Sequence, residues 1–283
     1  MPSNRVRLIL KTAAATLACA ALAAAAGTAL VLKSGWYNVA STDQHFQFVH
    51  TLLEQGMRDS VRFHARGVAV PELGAGARIA KGALIYRDHC VQCHGAPGVA
   101  QQDFGKSMQP VPGPLVDAAR RWQAAELYWI TKNGIKMSGM PAWEFHLADD
   151  DIWSVVAFMV KLPELAPPAY AAMTASLAPA PVASAAPARW PGNPARGRIA
   201  LTQYACNACH VVPGVTGPET YVGRPLGGLG KRRFIAGHLP NTQENLVRWI
   251  RDPHAIDPLT AMPVQDVSEA DAVDISAYLL TLR

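Results

Sequence analysis

Cysteine is scarce in this chain of 283 residues, which holds five. Four of them sit in two short motifs, so Cys19 has no partner and no disulfide framework is available. Charge is missing altogether from Thr12 to Leu32, a run of 21 residues. As a helix that run reaches about 31 Å, enough for the hydrocarbon core of a bilayer. Arg5, Arg7 and Lys11 precede it, which by the positive-inside rule keeps the N-terminus cytoplasmic, and Trp36 and Tyr37 follow as an interfacial aromatic anchor. A cleaved signal peptide is the competing reading, since the alanine run offers small-residue cleavage sites. Length and the apolar end Ala29-Leu30-Val31-Leu32 favour retention. A lipoprotein signal at Cys19 is weaker, because the segment Thr16-Leu17-Ala18-Cys19 lacks the usual apolar residue three before the cysteine.

The cysteines that are present carry the chemistry. Cys90-Val91-Gln92-Cys93-His94 and Cys206-Asn207-Ala208-Cys209-His210 are two copies of Cys-x-x-Cys-His, the spacing at which c-type haem is attached. Two thiols on one turn add to the two vinyl groups of one haem, and the adjacent imidazole reaches the iron. A zinc knuckle or a redox dithiol is the alternative for any Cys-x-x-Cys. Here both copies carry the histidine and both run on to a Pro-Gly pair, Pro97-Gly98 and Pro213-Gly214.

An iron with a proximal histidine leaves one axial position for a soft ligand, and each segment supplies a methionine. Met140, in Lys136-Met137-Ser138-Gly139-Met140-Pro141, follows His94 by 46 residues (140 − 94), and Met262, in Thr260-Ala261-Met262-Pro263, follows His210 by 52 (262 − 210). A thioether favours ferrous iron, raises the potential and closes the metal to substrate. Methionine is more often core filler. The Met-Pro pair nevertheless recurs in both segments, and a following proline holds an extended loop, which prefers Met140 to Met137.

On these motifs each half resembles a class I, mitochondrial-type cytochrome c domain, and the chain resembles a bacterial dihaem cytochrome c. The resemblance covers residues 76–162 and 195–282. It implies a mainly α fold, with an N-terminal transmembrane helix followed by two tandem class I cytochrome c domains. It implies two covalently bound haem c groups, on Cys90 and Cys93 and on Cys206 and Cys209, with His94 and Met140 and then His210 and Met262 as axial ligands. In the family a first helix enters the haem motif with a glycine and an aromatic on one face. Gly82, Tyr86 and Cys90 stand four apart in that way, whereas Gly197 lies one residue further from Cys206. A last helix packs across the first, and 149–162 and 268–280 suit it, with apolar residues in helical spacing and Ser268-Glu269-Ala270-Asp271 as a capping box. Trp129 and Trp249, on the intervening helices, are expected beside the haem. The family uses a proline carbonyl to hold the proximal His Nδ1 proton. Here Pro112 and Pro114 compete for that place, and in the second half Arg224 stands before Pro225 where the family has glycine, so the acceptor is left open.

The expected order is an anchor over 1–37, an amphipathic membrane-proximal segment over 38–75, a first haem domain over 76–162, an Ala/Pro-rich extended linker over 163–194, and a second haem domain over 195–283. The segment after the anchor has an amphipathic run from Phe46 to Val61 with His45, His50 and His64 nearby. It is too polar to span a membrane and is suited to lie on the bilayer, meet a membrane partner or cap the first haem domain; His64 reads as a surface histidine. The net charge is +5, with Lys231-Arg232-Arg233, Arg224, Arg248 and Arg251 in the second half as either a docking face for an acidic redox partner or a solvated face. Nucleic acid is not an expected partner. The expected function is single-electron transfer without catalysis, in a respiratory chain at the bacterial inner membrane with the haem domains in the periplasm. Asn241-Thr242-Gln243-Glu244-Asn245-Leu246 and the second Met-Pro loop resemble haem domains that accompany haem-copper oxidases, making an oxidase the expected acceptor, with a dehydrogenase complex as another partner. A haem enzyme, such as a dihaem peroxidase or thiosulfate-oxidising cytochrome, is the competing class.

Overall fold

The computed structural model describes residues 4–40, 43, 46–175, 190–217 and 222–283. His45 lies outside them. Among the described residues the regular secondary structure is almost entirely helical. Two units are distinguished, 1–55 and 56–283.

In the first unit, α1 (Asn4–Ser34) is a helix of 31 residues with no buried side chain. It is the one described helix long and apolar enough to cross a membrane. Helix α2 (Gln47–His64) begins in this unit and ends in the next.

The second unit holds two helical halves of the same plan. The first contains α3 (Gly76–His89), the short turns α4 (Val91–His94), α5 (Asp103–Lys106) and α6 (Ala118–Arg121), then α7 (Ala124–Asn133), α8 (Asp149–Lys161) and α9 (Pro167–Ala175). The second contains α10 (Pro194–Gln203), α11 (Gln243–Arg251) and α12 (Glu269–Thr281), with a small antiparallel ribbon, β1 (Phe234–Ile235) and β2 (Leu239–Pro240).

Each half is organised by one close helix crossing. On α3, a Cβ added at Gly82 would lie 1.8 Å from the Ser154 carbonyl oxygen on α8; on α10, a Cβ at Gly197 would lie 1.9 Å from the Asp274 carbonyl oxygen on α12. Only a residue without a side chain lets the backbones approach this far. The residue before each glycine is a cation that reaches an acid three positions before the crossing carbonyl: Lys81 to Asp151 at 2.5 Å, and Arg196 to Asp271 at 2.9 Å. Lys81 also bonds Asp150, and that hydrogen bond, with one from Arg78, holds the Asp150 carboxyl below the usual carboxylate range. Helix starts follow their caps. Ser268 Oγ accepts from the Asp271 N–H, and a Gln123–Glu126 capping box opens α7.

One stretch differs from the sequence expectation. Part of the Ala/Pro-rich stretch expected as an extended linker over 163–194 is helical: α9 packs on the first half, with Tyr170 buried against Phe158 and the Arg87 guanidinium bonded to the Thr174 carbonyl. Alanine is the strongest helix former, and Pro167 and Pro168 sit in the first turn, where the missing N–H costs no hydrogen bond. Composition alone therefore hid a helix carrying one large aromatic anchor. Residues 176–189 lie outside the described residues. Residues 56–75, in the segment expected to lie on the bilayer, meet a membrane partner or cap the first haem domain, pack on the first half: Val61 and Ala65 are buried, and Val68 and Leu73 lie against its core.

Candidate functional site

In both halves the first helix delivers the Cys-x-x-Cys-His segment as a tight helical turn, by slightly different routes. After α3, Cys90 continues directly into α4. After α10 the chain passes through Ala205 in the left-handed region, φ 54°, before a 3₁₀ turn at Cys206–Ala208. That inserted residue absorbs the extra position between Gly197 and Cys206. Tyr86, buried, donates from its hydroxyl to the Gly95 carbonyl at 2.8 Å and so ties the end of the first turn to α3. Tyr204 instead donates to the buried Asp271 carboxylate at 2.8 Å, a contact that, after burial, pushes its hydroxyl pKa up to about 12.

The two histidines are held alike. His94 Nδ1 lies 2.7 Å from the Gly113 carbonyl oxygen, and His210 Nδ1 lies 2.7 Å from that of Arg224. A ring nitrogen facing a carbonyl donates, so Nδ1 carries the proton and Nε2 keeps its lone pair for a metal. Burial pulls the His94 pKa down, against the Gly113 contact that raises it, which favours the neutral ligand form. The sequence left the acceptor open among prolines. It is in each half the residue before a proline, Gly113 before Pro114 and Arg224 before Pro225. Behind His210 the backbone is pressed close: a Cβ at Gly223 would stand 2.4 Å from Cε1 and 2.6 Å from Nδ1.

The cysteines are half-buried and unpaired. Burial pushes the Cys90 thiol up to about 12 and the Cys206 thiol up to about 11. Among the described residues no group of three or more His, Cys, Asp or Glu converges to hold a bare metal ion.

The Met-Pro loops also share a geometry. The Met140 N–H donates to Ser138 Oγ at 3.2 Å, and the Met262 N–H donates to Thr260 Oγ1 at 3.3 Å. A hydroxyl two residues earlier thus sets the same local turn in both loops. Carbonyl contacts fix them further, Met140 O with the Ile135 N–H and Met262 O with His254 Nε2. Met140 and Met262 are half-buried, whereas Met137 is 93 % exposed. Sequence reasoning passed over Met108, whose Sδ would lie 2.6 Å from a Cβ at Gly139; nothing in its sequence context marked it.

Trp129 and Trp249 occupy matching helices, and each is stacked on a histidine. His64 lies 5.4 Å from Trp129 at 28°, and His238 lies 6.3 Å from Trp249 at 14°. His64 is exposed, as expected, yet its Nδ1 is bonded to the Ser60 carbonyl and its ring covers an indole. Of the basic run, Arg232 is committed inward: its Nη2 donates to the carbonyls of Pro225, at 2.6 Å, and Gly227, at 3.0 Å, bracing the loop that holds His210. Lys231 and Arg233 are exposed.

Residues 77–159 match the family model of cytochrome c oxidase, cbb3-type, subunit III. Over 89 residues, 31% of this chain, the sequence is 40% identical to cytochrome c oxidase subunit 2 of Alkalihalophilus pseudofirmus, and the aligned part covers 25% of that protein. The chain thus spans about a quarter of the length of that curated relative. No solved structure matches the chain. These similarities and the helices define a mainly α-helical, cytochrome-oxidase-related protein with an N-terminal apolar helix of membrane-spanning length.

Proposed function

We propose that this chain is a membrane-anchored dihaem cytochrome c that passes single electrons in a respiratory chain, with a terminal oxidase as acceptor. One observation carries the reading: each half repeats a Cys-x-x-Cys-His turn whose imidazole is tied through Nδ1 to a carbonyl, and a Met-Pro loop set by a hydroxyl two residues earlier. The residues fit a haem better than a bare ion. Among the described residues no group of three or more His, Cys, Asp or Glu is placed to hold a bare ion, whereas two thiols on one turn beside an imidazole suit two attachments at a porphyrin edge with one nitrogen to the iron.

On this reading Cys90, Cys93, Cys206 and Cys209 would anchor the two groups, and His94 with Met140 and His210 with Met262 would be the residues that ligate the iron. A haem bound by these residues would supply one-electron redox chemistry. Gly113 and Arg224 keep the histidine tautomer fixed, and the methionines exclude water and substrate. Trp129 and Trp249 line the pockets. The likeness to oxidase subunits supports an oxidase partner and a place in the bacterial inner membrane, with α1 as anchor and the helical halves in the periplasm.

The axial assignment is tested by the weak far-red thioether-to-iron band of the ferric protein. Met140→Ala and Met262→Ala are each expected to remove about half of it, one haem of two. A band unchanged by either substitution overturns that ligand assignment, and a haem lacking the band in the unsubstituted protein favours a haem enzyme.

A further inference from the structure

The two haem-motif halves meet through a built contact made by the segment immediately after Met140-Pro141. Ala142 and Phe145 belong to the first half by sequence, yet they are buried in the hydrophobic core of the second, beside Ala200, Tyr204 and Val273. The Arg196 guanidinium lies over the Phe145 ring, 4.7 Å from its centroid. The same guanidinium reaches Glu144 of the first half at 3.3 Å and Asp271 and Asp274 of the second at 2.9 and 3.2 Å. Its counterpart in the first half, Lys81, engages among the described residues the acids of its own helix pair, Asp150 and Asp151. The arginine fork, with donors in a fixed plane, is what permits one cation to serve three carboxylates on two bodies.

Rings continue the contact in both directions. His89, the residue before Cys90, lies 5.2 Å from Trp143; Trp143 lies 6.0 Å from His146; His146 lies 6.4 Å from Tyr204, two residues before Cys206. A packed column of aromatic groups thus runs from one attachment turn to the other.

We infer that the two halves work as one docked redox body, held by the Arg196–Glu144 pair and the Phe145 plug, with the column His89–Trp143–His146–Tyr204 bridging the two haem sites. The functional part rests on the dihaem reading. With both groups bound, one electron would pass from the reduced group of one half to the oxidised group of the other, with no bond or proton exchanged and the four rings keeping their own oxidation state. Dense packing favours tunnelling over any route that crosses solvent. The segment 176–189 then serves as a covalent tie and is not needed to keep the halves together.

The test uses the full haem-loaded chain in detergent with a specific protease site inserted between residues 176 and 189. After cleavage the halves of the otherwise unsubstituted protein are expected to co-elute, and inter-haem exchange, followed by flash reduction, to stay independent of protein concentration. Glu144→Arg, which faces Arg196 with a like charge without stripping Asp271 of its partner, is expected to release the second half and make exchange concentration-dependent. Phe145→Ala, which removes the plug and leaves the charges, is expected to do the same. Separation of the unsubstituted halves on cleavage, or retention of both variants as firmly as the parent, overturns the inference. Haem content measured on the same fractions keeps the readings apart: two haems per chain with separating halves leaves the dihaem assignment standing, and fewer than two contradicts that assignment whatever the halves do.

Discussion

Alanine at Gly197 unfolds the second half, and alanine at Gly82 does the same to the first. A Cβ at these positions would stand within 2 Å of a backbone carbonyl oxygen, that of Asp274 or Ser154. Neither oxygen belongs to a flexible side chain that can swing away, so the two helices must separate. In doing so they would open the crossing that buries Ile152, Val155 and Val156 in one half and Ala272, Val273 and Ile275 in the other. Overpacking of this severity costs more than about 3 kcal/mol, beyond the usual range for a single methyl. Thermal unfolding followed by circular dichroism should show the affected half melting first, or absent at room temperature. A midpoint unchanged in either variant would mean the helices do not cross as described.

On the proposed dihaem assignment, alanine at Gly223 is expected to act on the second haem alone. The added methyl would fall 2.4 to 2.8 Å from Cε1, Nδ1 and Nε2 of His210. The ring cannot retreat while Nδ1 is held by the Arg224 carbonyl, and that carbonyl lies in the loop braced by Arg232. Misplacement of the imidazole removes a strong-field ligand, so the ferric protein should show one low-spin and one high-spin haem in place of two low-spin. Electron paramagnetic resonance distinguishes these outcomes. Two unchanged low-spin signals would show that His210 is not ligated in the orientation the loop imposes. Gly113, whose carbonyl serves His94, has no neighbour within reach of a new Cβ, so Gly113→Ala is the matched control and leaves both signals intact.

The candidate site could be marked out in the sequence because it resides in short local patterns. Cys-x-x-Cys-His is a single turn, and a Met-Pro pair is a single loop. The helices that cross were legible for the same reason: Gly82 and Tyr86 lie on one face of α3, and Ser268 marks the start of α12. What stayed hidden depends on contacts remote in sequence. The acceptor of each histidine proton lies 19 or 14 residues downstream, and no local signal separates Gly113 from its flanking prolines. The displaced glycine of the second half looked like a departure from pattern, but a left-handed Ala205 takes up the additional residue. Alanine- and proline-rich composition suggested an extended tie after residue 162, because composition does not show that Tyr170 has a pocket to fill. Arg196 was invisible for a related reason. Its meaning lies in carboxylates 52, 75 and 78 residues away (196 − 144, 271 − 196 and 274 − 196), brought together only by the fold.

Covalent haem content of the purified full chain tests the central claim most directly. Haem that survives acid-acetone extraction, measured by its reduced pyridine spectrum against protein mass, should come to two per chain, falling to one when Cys90 and Cys93 are both replaced by alanine and to one when Cys206 and Cys209 are. A chain carrying no covalent haem, or one whose content is unchanged by either pair of substitutions, would contradict the account.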